Sequence, residues 1–312
     1  MSARLRGDLL LLLAAAIWGL AFVAQRVGAD LMGPFAFNGV RFACGALALL
    51  PVIAFFDHRQ ARSGTGPETG RGRTRAALLP AMAAGSVLFT ASWLQQWGLA
   101  ATTAGKAGFI TGLYIVIVPI FGVVLRHRTG VTTWLGALLA VAGLYVLSVR
   151  DGFTLAPGDG LVLISAFFWA THILLVDRFT SLDVLRFSAL QFATTSALSL
   201  VAASLLEPAP FAGVLAAWVP IFYGGVLSVG VGYTLQVVGQ REAAPSAAAI
   251  ILSTEAVFAA IGGIVLLGEP LTWRELTGFA LMFVGIVVSQ LAPVLTVGRA
   301  PVEPEGTVAD VP

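Results

Sequence analysis

"GDLLLLLAAAIWG" at residues 7–19 returns as "GDGLVLISAFFWA" at residues 158–170, a shift of 151 that pairs Asp8 with Asp159 and Trp18 with Trp169. Further matches follow in order along the two halves. "RFA" at Arg41 lies on "QFA" at Gln191, a shift of 150. "LLPAMAAGSVLFTASWLQQ" lies on "AWVPIFYGGVLSVGVGYTLQ" at a shift of 140, setting Pro80 against Pro220, Gly85 against Gly225, Trp93 against Tyr233 and Gln96 against Gln236. Gly136 and Gly143 fall on Gly278 and Gly285 at a shift of 142. Self-similarity of this length reads as a duplicated unit.

The duplicated unit is built for lipid. Of 312 residues, 58% are apolar and only 11% charged, and the mean hydropathy is +0.91; a water-soluble domain needs far more polar surface. A bilayer core of roughly 30 Å takes about 20 apolar residues per helix. Ten such runs are present: 7–27, 34–56, 76–98, 102–125, 131–149, 159–178, 184–206, 213–238, 243–267 and 272–292. They are too long and too uniformly apolar for barrel strands, so an all-α integral membrane protein with ten transmembrane helices is expected.

Each half then holds five helices, 7–149 and 158–292. Five is odd, so the second copy enters the membrane from the opposite face, giving two inverted five-helix repeats related by a pseudo-two-fold axis in the membrane plane. Such symmetry makes two conformations, open to opposite sides, similar in energy. That suits alternating access, and an enzyme or receptor has no comparable need for it. The basic residues orient the bundle: with the N-terminus inside, thirteen fall on inner segments and four on outer ones, with Arg41 inside the second run. The positive-inside rule therefore places both termini in the cytoplasm. The first run resembles a signal peptide at Ala14–Ala16 but stays apolar through Val23, and is read as a retained helix. The stretch 57–75 reads as a flexible basic loop, and the Pro- and Glu-rich tail 293–312 as disordered. The single cysteine, Cys44, excludes a disulfide framework.

At five places the chain resembles the drug/metabolite transporter (DMT) superfamily, in particular its EamA-type permeases. These are "AAAIWGLAFV" in the first helix, "GVRFACGAL" in the second, "TTAGKAGFITGLYIVIVP" in the fourth, "PSAAAIILSTEAVFAAIGGIVLLGEPLT" in the ninth and its exit, and "GFALMFVGIVVS" in the tenth. The resemblance runs from about residue 7 to 292 and implies ten helices in two repeats. It also implies a central cavity lined by helices one, three, four, six, eight and nine, with the second and seventh more peripheral. One departure is visible: the ninth helix exits through "LGEPLT", while the matching place in the first half reads "LRHRTGVTT" and has no acid.

The residues expected to meet a solute are the polar and aromatic ones near mid-span. Glu255 lies about 17 Å into the ninth helix, near the bilayer midplane, where a charged carboxylate costs at least about 2.5 kcal/mol. It is read either as a proton-titrating or solute-contacting group or as a structural acid bonded between helices. His172, one turn beyond Trp169, is read as a proton relay or as a satisfied packing residue. Trp93 with Gln96, and Tyr233 with Gln236, each place an aromatic ring and an amide on one helical face, a lining that suits small amphipathic solutes. Trp18, Trp169 and Tyr114 join them as candidate lining. Lys106, the sole lysine beside 17 arginines, opens the fourth helix. It either snorkels to the outer surface or faces a vestibule and favours carboxylate-bearing solutes. Arg41 lies nearer a helix end and is assigned to local pairing.

No phosphate loop, HExxH or Cys/His metal spacing is present, so no cofactor is expected, and a net charge of +2 gives no argument for nucleic acid. Energy then comes from a solute or proton gradient. The leading expectation is a secondary transporter exporting small metabolites, amino acids or related amphipathic solutes, across the cytoplasmic membrane, with proton coupling through the buried acid. An integral membrane enzyme acting on a lipid-linked substrate is the alternative. It would need acids or histidines clustered at one membrane face, and the loops offer mainly arginine. A channel would need charged rings or a filter sequence.

Overall fold

The computed structural model describes residues 3–63, 70–124, 131–150, 154–179, 182–242, 251–252 and 254–297. Its helices are α1 (Ala3–Leu31), α2 (Pro34–Ser63), α3 (Gly70–Leu99), α4 (Ala104–Gly112), α5 (Tyr114–Val124), α6 (Val131–Ser148), α7 (Pro157–Arg178), α8 (Val184–Leu206), α9 (Trp218–Phe222), α10 (Tyr233–Glu242), α11 (Glu255–Leu267) and α12 (Trp273–Val297). A π-helical segment, Tyr223–Gly232, joins α9 to α10, and a two-residue antiparallel ladder pairs β1 (Val149–Arg150) with β2 (Thr154–Leu155). Among the described residues, six helices are long and apolar enough to cross a membrane, and three shorter apolar helices accompany them. Large apolar side chains such as Leu79, Leu205 and Leu215 lie exposed on the outside, as lipid contact requires.

Helix ends differ from the apolar runs where charge fixes them. The expected loop 57–75 is mostly helix, because α2 continues to Ser63 and α3 begins at Gly70, with 64–69 outside the described residues. Ion pairs hold these extensions together: Arg186 binds Asp57 and Asp183, and Arg73 reaches the same two acids at 3.2 and 3.5 Å. At the opposite end of the bundle Glu207 accepts from the backbone N–H groups of Phe35 (2.8 Å) and Ala36 (3.1 Å), the orphan donors that open α2. Glu269, the acid of "LGEPLT", does the same for α4, accepting from Ala104 N at 2.6 Å and Gly105 N at 3.2 Å. Gly268 supplies the left-handed turn, φ 64°, that ends α11 and aims this acid. Arg126, His127 and Arg128, the acid-free counterpart, lie outside the described residues. α12 runs on to Val297, five residues past the expected end of the tenth run, and 298–312 are likewise outside.

Three of the expected spans are interrupted. The fourth breaks at Leu113 between α4 and α5. The eighth passes through the π segment, which carries Gly224, Gly225, Gly230 and Gly232. In the ninth, Thr254 is a turn residue and α11 starts at Glu255.

Packing runs between the halves. α2 lies along α8, and α6 along α12; α3 contacts α7 and α8, while α1 contacts α10, α11 and the π segment; α4 touches α7 and α11. The α6–α12 seam is close enough that a Cβ on Gly143 would fall 2.8 Å from the carbonyl of Gly278, and one on Gly285 would fall 2.6 Å from that of Gly136. Only glycine allows this approach, as at small-residue seams in membranes.

Candidate functional site

The interrupted segments meet around a partly open cavity of about 260 Å³ within the bundle. Its volume is near the lower end of small-molecule pockets. α1 supplies Trp18 and Gln25, α3 Gln95, the α4–α5 segment Thr111 and Tyr114, and α7 Trp169 and His172; the π segment and α10 add Ser228, Tyr233 and Gln236, and α11 adds Glu255.

Glu255 is 5% exposed and is the first residue of α11. Helix N-termini present unpaired N–H groups and a positive dipole end, so the break that starts α11 here is what makes a buried carboxylate tolerable. The hydroxyl of Tyr114 donates to its Oε1 at 3.0 Å. Tyr114 itself follows the break at Leu113, and at the shift of 142 that aligns Gly143 with Gly285, Leu113 falls on Glu255. Interrupted helices at corresponding places in two halves are the usual setting of a transporter's binding site.

Aromatic rings build the rest of the wall. Trp18 packs edge-on to Tyr233 with centroids 5.2 Å apart and donates its Nε1–H to the carbonyl of Ser228 at 3.0 Å. Trp169 meets His172 edge-on at 6.1 Å. His172 is buried, and its Nε2 lies within hydrogen-bond distance, 2.8 Å, of the side-chain amide of Gln191 on α8. The imidazole is thus held by an amide rather than by a carboxylate.

Seven of the expected residues therefore share one cavity: Trp18, Tyr114, Trp169, His172, Tyr233, Gln236 and Glu255. Three stand apart. Trp93 turns to the other side of α3 and stacks between Phe35 (5.4 Å) and Trp97 (5.5 Å), part of an aromatic cluster rather than the cavity wall. Gln96 is buried in the α1–α3 contact, its Nε2 donating to the carbonyl of Gln25 at 2.8 Å; the neighbouring Gln95 faces the cavity and donates to Thr111 at 2.9 Å. Lys106 neither snorkels nor lines the cavity: its Nζ lies 3.8 Å from Oδ2 of Asp159, whose Oδ1 accepts from Thr102, so the lysine ties the start of α4 to the start of α7.

The second helix is not peripheral. Arg41 and Phe42 of α2 line the cavity, and Arg41 is buried, with no local acid paired to it among the described residues. Its local partner is Asn38, three residues earlier on α2, whose Oδ1 accepts from Nε at 2.8 Å; what local pairing does not account for is its place on the cavity wall. The signal that could have found it is the alignment with Gln191, which sets two polar groups at matching depths.

Comparisons with known proteins agree with this architecture. A curated transporter of Archaeoglobus fulgidus, described as uncharacterized, is 30% identical over 291 residues, covering 92% of this chain and 87% of that protein. The uncharacterized transporter YoaV of Bacillus subtilis is 23% identical, over 88% of this chain and 92% of its own. A solved crystal structure has a TM-score of 0.65 and 18% identity, covering 93% of this chain and 98% of that one, a likeness that speaks to the fold. The model of the EamA-like transporter family matches twice, over residues 5–149 and 156–291. This multi-pass membrane protein belongs to the EamA-like transporter family.

Proposed function

We propose that the protein is a secondary transporter that exports small amphipathic metabolites, amino acids or related solutes, by alternating access between two inverted five-helix repeats, residues 7–149 and 158–292. The reading rests chiefly on one observation: a partly open cavity lined by both halves, at the place where the fourth and ninth segments are interrupted. The antiparallel arrangement is supported by contacts that come in exchanged pairs. A Cβ on Gly85 would meet the carbonyl of Gln191 at 2.6 Å, and one on Gly225 would meet that of Arg41 at 2.6 Å, the same contact with both partners swapped for their repeat mates. Gly143 with Gly278 and Gly285 with Gly136 form a second such set. Contacts of this kind follow from a two-fold axis through the bundle.

In this account the rings of Trp18, Trp169 and Tyr233 receive the apolar part of the solute, and Gln236 and Glu255 its polar part. Glu255 and His172 carry the coupling proton. The membrane is the cytoplasmic one, with both termini inside. The two ends of the bundle carry the gates: the Lys106–Asp159 contact at one, and the Arg186–Asp57–Asp183 cluster at the other. Counterflow in proteoliposomes holding only this protein tests the carrier. Labelled amino acids should exchange for internal ones, and no exchange of any small solute, with preloading or a pH gradient, contradicts it.

A further inference from the structure

Among the polar groups on the cavity wall, Arg41 has no part in the mechanism above. It is 3% exposed and lies roughly 10 Å along α2 from Pro34. Its Nε donates to Oδ1 of Asn38 at 2.8 Å, and its guanidinium lies over the ring of Phe42, 4.7 Å from the centroid, and near that of Phe37, at 5.7 Å. These contacts hold the plane of the group. They leave most of its donors unused, since a guanidinium carries five N–H groups, and no carboxylate forms an ion pair with it among the described residues.

An unpaired buried cation inside a bilayer is among the costliest groups a fold can hold, so it normally has a partner or faces water and a ligand. The charge has no counterpart in the other half. At the matching place in the other half stands Gln191, a neutral amide already bonded to His172.

Resting on the carrier reading, we infer that Arg41 is the specificity-determining anchor for a carboxylate on the transported solute. The planar fork of a guanidinium matches a carboxylate through two parallel hydrogen bonds. Phe42, Trp18 and Tyr233 beside it offer apolar surface for the body of the same molecule. A single guanidinium selects a monoanionic head; a dianion such as a phosphate monoester would leave a negative charge uncompensated in a cavity that already holds Glu255.

The test uses the purified full-length protein in nanodiscs and two probes of the same shape, 3-phenylpropanoate and 3-phenylpropanamide, with binding measured by calorimetry. The wild type should bind the carboxylate at least about tenfold more tightly than the amide, the size expected for hydrogen bonds to a charged group. Arg41→Gln should erase that preference, and Arg41→Lys should keep part of it. Equal binding of the two probes by the wild type, binding of neither, or a preference that survives in Arg41→Gln overturns the assignment. If Arg41→Gln does not fold, the wild-type comparison and Arg41→Lys decide. Counterflow of the same probes in proteoliposomes separates this from the carrier reading. A carboxylate preference in binding without exchange contradicts the carrier and keeps the anchor, whereas exchange without preference contradicts the anchor alone.

Discussion

The Tyr114 hydroxyl donates to Oε1 of Glu255 across 3.0 Å, joining two membrane segments at the point where each is interrupted. The bond does two things. It compensates a buried carboxylate, and it couples the fourth segment to the ninth across the cavity. Removing it with Tyr114→Phe should cost about 1.5–3 kcal/mol, the range for hydrogen bonds to charged groups. Thermal unfolding in detergent checks this, and an unchanged midpoint would mean that the hydroxyl is not a structural partner of the acid.

Replacing the acid separates coupling from exchange. Glu255→Gln keeps an acceptor for Tyr114 and removes the exchangeable proton. Accumulation driven by a pH gradient should fall to background, while solute-for-solute counterflow continues. Retained gradient-driven accumulation would exclude Glu255 as the coupling group.

The turn after α11 gives a purely structural prediction. Glu269 caps α4 through two backbone N–H groups, so Glu269→Ala should destabilise the protein by about 1–2 kcal/mol, the usual loss for a helix cap. Gly268→Ala forces a side chain into the left-handed region at φ 64° and should cost about 1–2 kcal/mol. Unfolding midpoints of the two variants measure both, and wild-type values would remove the capping account.

Much of the architecture was legible in the sequence. The ordered matches between the halves set Gly136 and Gly143 against Gly278 and Gly285 as repeat mates, while the close contacts these glycines make across the α6–α12 seam came only with the packing. The cavity residues were legible where mid-span polarity marks them, as at Glu255 and His172. What failed was rotation about a helix axis. Gln95 and Gln96 are adjacent amides on α3, about 100° apart on the helix, and composition cannot say which one faces inward. Arg41 was legible only in part: its local partner Asn38 lies one turn earlier on α2, but whether the guanidinium also reaches the cavity again depends on rotation about the helix axis. The role of Lys106 depended on Asp159, 53 positions away in the chain, and a contact of that range is set by packing.

A substitution at the α6–α12 seam should be poorly tolerated. Gly285→Leu places a side chain against the backbone of Ala140 and Gly136, and overpacking of this kind costs about 1–3 kcal/mol or more. The yield of folded protein and its unfolding midpoint should both drop. An unperturbed variant would show that α6 and α12 are farther apart than described.

The central claim is that two homologous halves cross the membrane in opposite senses, and one measurement meets it directly. In a Cys44→Ser background, single cysteines are placed at Arg62, near the end of α2, and at Ala209, just beyond α8, both exposed positions at matching ends of the two halves. A membrane-impermeant maleimide applied to intact cells should label Ala209→Cys and leave Arg62→Cys unlabelled until the membrane is opened. Labelling of both from the same side would contradict the inverted repeat and, with it, the carrier built on it.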